Sequence, residues 1–151
     1  MKGINLTRVL LGGLAAGIVI NLGEFVLWGV ILEQQYTAMM ATFGLAETSW
    51  AMAAYIIGSL VLGVALAFTY AAIRPRFGAR WQTGVVAAGV IWVAGVALPM
   101  IWNGAIGIGV GAGATLLALV WTAVELSLAA VAAAWVYQEQ EAPAVASQPT
   151  Y

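Results

Sequence analysis

Four long apolar runs, each bounded by polar or helix-breaking residues, set the pattern of this 151-residue chain. They extend over about 8–32, 49–73, 83–100 and 109–137. A hydrocarbon core about 30 Å thick takes about 20 apolar residues in a helix, so each run is long enough to cross one. Period-2 alternation is absent, which leaves helices as the way to satisfy backbone groups in lipid. Thr7 is placed to cap the first helix. The second is predicted to end at Arg74-Pro75, because proline lacks an N–H and biases its predecessor away from helix. Pro99 is predicted to bend or end the last turn of the third. The pattern therefore predicts an all-α polytopic membrane protein with four transmembrane helices in an antiparallel bundle. It forms a single domain over 1–138, followed by a tail over 139–151 whose EAPAVASQPTY sequence predicts disorder.

The first run has the basic start of a signal peptide, and its LAAG stretch looks like small-residue cleavage material. It is much longer than an ordinary signal-peptide core and contains Glu24, so a retained helix is the expectation. In the loop after it, Tyr36, Met39, Met40 and Phe43 recur at i, i+3, i+4 and i+7, with Gly44 placed as a C-cap. That spacing predicts a short amphipathic helix lying at the interface. The later NGAIGIGVGAGA segment superficially suggests a phosphate loop. It has neither the lysine nor the preceding strand such a loop needs, and it reads as a flexible re-entry or a close helix approach.

Composition strengthens the membrane reading and removes much chemistry. The chain is 64% hydrophobic and 7% charged, against about a quarter charged in soluble domains. It has no Cys and no His, and all six acidic residues are Glu. Disulfides, thiolate chemistry and His-ligated zinc or haem are thereby excluded, as is a Ser-His-Asp centre. Ser59 and Ser127 have no side chain to activate them, so no catalytic residue, metal site or cofactor is implied. The five cations are too few for a nucleic-acid surface.

Those cations are Lys2 and Arg8 before the first run, and Arg74, Arg76 and Arg80 in one loop. Placing both groups in the cytoplasm leaves each outer loop without positive charge. This predicts cytoplasmic N- and C-termini, with the arginines acting as topogenic charges or contacts to lipid headgroups. Trp28, Tyr36, Trp50 and Trp102 would then mark one interface, and Tyr70, Trp81, Trp135 and Tyr137 the other.

Two carboxyl groups break the apolar pattern. At 100° per residue, Gly13, Gly17, Asn21, Glu24 and Trp28 share an arc of about 80°. Gly111, Ala114, Ala118, Glu125, Ala129 and Ala132 share a stripe on the fourth span, with Trp121 at its edge. Each glutamate thus lies on a small-residue face suited to helix packing, as its cost in hydrocarbon demands. Glu24 lies about 24 Å from Arg8 along its helix, and Glu125 about 21 Å from Glu139. On antiparallel helices the two could be level. No Lys or Arg lies within a span to pair with them, so at least one is expected to hold its proton at neutral pH. Asn21, Thr122, Ser59, Trp92 and Trp121 are the available hydrogen-bond partners.

The stretches RVLLGGLAAGIVINLGEFVLWGVIL, YAAIRPRFG and WTAVELSLAAVAAAWVY resemble small four-helix bacterial membrane proteins of unassigned function. AAIRPRFG and the N-x-x-E-F element carry the resemblance most specifically. It implies residence in the bacterial inner membrane and assigns no activity. Two functions remain open on the residues themselves. One is a non-catalytic packing or accessory subunit of a homo-oligomer or larger membrane complex, with Asn21, Glu24 and Glu125 as interhelical glue. The other is a small proton- or cation-coupled transporter or channel that uses Glu24 and Glu125.

Overall fold

The computed structural model describes residues 4–137; Lys2 and the predicted tail lie outside the described residues. The described chain is all-helical. α1 (Leu6–Val26) continues through a π-turn (Leu27–Ile31), and α2 (Glu33–Thr42) is short. α3 (Ser49–Phe77) is followed by α4 (Trp81–Trp92), a second π-turn (Val93–Ala97) and α5 (Leu98–Ala105), these last three forming one continuous rod. α6 (Ala112–Val136) completes the set. Four helices are long and apolar enough to cross a membrane: Leu6–Ile31, Ser49–Phe77, Trp81–Ala105 and Ala112–Val136.

Helix boundaries differ from the sequence expectations for local reasons. Asn5, rather than Thr7, caps α1, its side chain accepting from the Arg8 N–H at 3.1 Å. α3 runs through Pro75 to Phe77. Proline in the last turn forfeits one bond, to the Ala71 carbonyl, while the exposed end carbonyls find other donors. Gly78, at φ +86°, donates its N–H to Arg74, and the Thr83 hydroxyl donates to the Gly78 carbonyl at 2.8 Å. Pro99 likewise does not end the third span. A π-turn precedes it, in which the Leu98 N–H reaches back to Val93, and such widening relieves the carbonyl that a proline ring would strike. Gly111 stands at the N-cap of α6 with φ +88°, and a Cβ there would meet nothing. It shapes the entry to the helix and is not a packing residue.

α1 packs against α3 and α6, α4 packs against α6 and α3, and α3 meets α6 across the bundle. Glycines set the closest approaches. A Cβ on Gly63 of α3 would collide with the Gly13 carbonyl and the Gly17 N–H of α1, so these two backbones touch. Gly12 lies over Ala133 of α6, and Gly84 of α4 lies over Ala130. Close backbone approach is how helices associate in lipid, where no hydrophobic effect drives them together.

The main core runs from Ile20 and Leu126 to Val9, Tyr70 and Tyr137, toward the end that carries the arginine-bearing α3–α4 turn. A smaller core of Leu27, Leu32 and Ala118, with Trp28, Met100, Ala114 and Trp121 against it, occupies the opposite, α2 end. There α3 packs loosely: no residue from 49 to 58 is buried, and α3 makes no more than passing contact with α5. Trp50 and Trp102 are exposed at the α2 end, and Trp81 and Trp135 at the arginine end, as aromatic belts would be. Tyr70 and Tyr137 differ from the belt expectation. They lie inside the bundle, edge to face at 6.0 Å between centroids.

The α1–α3 seam predicts unequal tolerance of small additions. Gly63→Val should destabilise the protein by about 1–3 kcal/mol through overpacking, whereas Gly89→Ala, facing open space inside α4, should leave it as stable or raise stability by up to about 1 kcal/mol. Equilibrium unfolding in mixed micelles measures both.

Candidate functional site

Polar side chains from three helices gather where the two cores meet. Glu125 on α6 is 5% exposed, and its Oε2 accepts a hydrogen bond from the Trp121 indole one turn earlier at 3.0 Å. Its carboxyl lies against Gly23 of α1, where a Cβ would occupy the same space. Glu24, half-buried on the next residue of α1, is close enough to Glu125 for the two charges to interact. The Trp28 indole stands within hydrogen-bonding reach of the Glu24 carboxyl. Each carboxyl therefore has an indole four residues away on its own helix, and the Glu125 side chain reaches α1 at Gly23, next to Glu24. Indole is a pure donor, so it suits a carboxylate or the carbonyl oxygen of a carboxylic acid.

The other predicted partners are engaged elsewhere. The Asn21 side chain donates to the Gly17 carbonyl at 3.0 Å and to the Ile56 carbonyl of α3 at 3.3 Å. It links α1 to α3 and not to the carboxyl pair. Trp92 was expected beside the carboxyls; its indole instead donates to Thr122 Oγ1 at 3.1 Å, and that hydroxyl donates to the Ala118 carbonyl at 2.8 Å. This joins α4 to α6 just beyond the pair. Ser59 spends its hydroxyl on its own helix, at Tyr55. Gly13 and Gly17 face α3, Ala118 is fully buried, and Ala114 is half-buried in the smaller core.

A single stripe on α1 is too simple a description. Gly13, Gly17 and Asn21 address α3, while Gly12, Ala16 and Gly23 lie on the flank toward α6. The adjacent Gly12-Gly13 pair is the sequence signal for two seams. The π-turn after Glu24 has no such signal: the Leu32 N–H reaches the Leu27 carbonyl at 2.7 Å, and Leu27 and Leu32 are both buried.

α2 rests against the Leu27–Ile31 π-turn at this end. The predicted helix is present, and Gly44 follows it at φ +62°. Tyr36 brings its ring to 6.1 Å from Trp28, centroid to centroid. Its hydroxyl is within reach of Tyr55 and Glu47. Partial burial first, then those two neighbours, push its pKa up to about 12, so the phenol keeps its proton and can donate. At the arginine end a second group forms that sequence reasoning did not assemble. The Arg74 guanidinium lies over the Tyr137 ring at 5.7 Å, and the Asn5 N–H donates to the Tyr137 hydroxyl at 3.4 Å. Arg74 thus turns inward, while Arg76 and Arg80 stay exposed and Arg8 is partly so.

Four helices long and apolar enough to cross a membrane, with two glutamates brought close together between α1 and α6, mark a small multi-pass membrane protein. Neither the protein-family models, nor the curated proteins, nor the solved structures contain a match to this chain.

Two substitutions test the site. Asn21→Ala should cost about 1 kcal/mol, the usual worth of an interhelical polar contact in a membrane. Gly23→Ala should push the Glu125 carboxyl aside and shift the Trp121 indole N–H resonance, whereas Gly95→Ala should leave it in place. An unmoved Trp121 signal in Gly23→Ala contradicts the arrangement.

Proposed function

We propose that this is a non-catalytic integral membrane protein, a packing or accessory subunit of a homo-oligomer or a larger membrane complex. The observation that carries the reading is the open α2 half of the bundle. α3 stands away from α5 at the depth where Glu24 is only half-buried, and the small residues Gly58 and Gly95 face open space on these two spans. A carboxyl at that depth needs cover, and small residues are what a neighbouring helix packs against. Asn21, Thr122 and Trp92 act within the subunit as glue that fixes helix register.

A second reading, a small proton- or cation-coupled transporter or channel, is favoured by one observation: the neighbouring Glu24 and Glu125 carboxyls have the Trp28 and Trp121 indoles as close polar partners. For location, the exposed Arg76 and Arg80 lie at the same end as Asn5 and Tyr137. That supports a bacterial inner-membrane protein with both termini in the cytoplasm.

Gentle solubilisation from the native membrane should recover the protein in a particle larger than one chain; a lone monomer contradicts the subunit reading. In proteoliposomes, transport would require an ion flux abolished by Glu24→Gln or Glu125→Gln. Wild-type protein without flux under any gradient excludes it. A reporter fused at Ala79 should report from the cytoplasm, and a periplasmic signal overturns the orientation.

A further inference from the structure

The polar groups on the two sides of the carboxyl pair are unequal. Toward the arginine end the bundle is shut: Ile20, Leu126, Ala129, Ala133, Tyr70 and Tyr137 are each 2% exposed or less, and they form one continuous apolar core. The glycine seams at Gly12, Gly13 and Gly17 bring backbones into contact along the same stretch. Toward the α2 end the buried apolar core is smaller, with Leu27, Leu32 and Ala118 as its buried members, and a row of polar and aromatic groups runs beside it. The Glu24 carboxyl meets the Trp28 indole, the Trp28 ring meets Tyr36, and the Tyr36 hydroxyl meets Tyr55 and the exposed Glu47. The helix bearing Tyr36 has no buried residue, so little apolar packing holds it down.

We propose that the Glu24–Glu125 pair is a proton-binding site that exchanges with water on the α2 side of the membrane alone, with the Trp28–Tyr36 contact as its cover. A hydronium ion from that side gives its proton to a carboxylate oxygen of the pair and leaves as water; release reverses the step. The titratable groups on this side are few. α1 and α6 supply the glutamates themselves; toward the α2 end lie Glu33 and Tyr36 on α2, Tyr55 on α3 and Glu47 on the α2–α3 link, and the Trp81–Ala105 rod carries none. The proposal goes beyond the subunit reading and does not depend on it, since sided proton exchange requires neither a partner nor a pathway across the bundle.

The test uses the full chain in membrane vesicles of the two opposite orientations. Because the protein has no native cysteine, Thr42→Cys or Ala79→Cys with an impermeant maleimide reports which end faces the medium. A membrane-permeant carbodiimide, which attacks protonated carboxyls, then labels the pair, and peptide mass reads the modification of Glu24 and Glu125. Acidifying the medium should raise labelling several-fold when the α2 end faces out, and should not change it when the arginine end faces out. Tyr36→Ala should speed the response several-fold in the first orientation only. A Glu24→Gln/Glu125→Gln variant sets the zero. Labelling that follows the medium pH from the arginine side, from both sides or from neither overturns the proposal. So does suppression by added sodium at fixed pH, which would mark a cation site instead.

Discussion

The rest of the structure depends on how closely α1 approaches its two neighbours. Gly63 of α3 nests against the backbone of Gly13 and Gly17, and on the adjoining flank Gly12 and Gly23 meet α6 at Ala133 and Glu125. In lipid a helix gains nothing by hiding leucine from hydrocarbon, so association rests on contact distance and on polar bonds between helices. Many large apolar side chains accordingly point outward, as Leu10, Ile18, Phe25, Val61, Val120 and Leu128 do. A side chain at Gly13, Gly17 or Gly63 would force the α1 and α3 backbones apart, and one at Gly23 would displace the Glu125 carboxyl.

That meeting place follows from the same contact. Gly23 has no side chain, so the Glu125 carboxyl fits against α1 beside Glu24. Trp121 serves Glu125, Trp28 stands at Glu24, and the π-turn at Leu27–Ile31 follows directly. An inserted π-turn rotates the helix beyond it, and here both Leu27 and Leu32 end up buried in the smaller core while Trp28 reaches Tyr36 on α2. Packing, carboxyl placement and the cover over the α2 end are therefore one connected arrangement.

Much of this was legible in the sequence because it is written in long, redundant signals. Span number and class come from many apolar residues, and the short α2 comes from the spacing of Tyr36, Met39, Met40 and Phe43. The small-residue face of α1 and the level placement of Glu24 and Glu125 came from periodicity and rise. What escaped was decided by single contacts. Helical periodicity could not show that α1 has two seams, nor that Trp92 chooses Thr122 over a carboxyl. The pattern predicts a stop at Pro75 and a bend or stop at Pro99, yet the cost is offset locally by a side-chain donor in one case and a π-turn in the other. Tyr137 reads as a belt residue until tertiary packing puts it under Arg74.

The central claim is that α1 and α6 bring Glu24 and Glu125 close together within one chain. Proximity of the two positions measures it most directly, and the absence of native cysteine makes the measurement clean. In a Glu24→Cys/Glu125→Cys variant in membranes, a short thiol-to-thiol crosslinker should join the two positions within a single chain, leaving a monomer with a closed loop. A link formed only between chains, or none while each thiol alone reacts, would contradict the account.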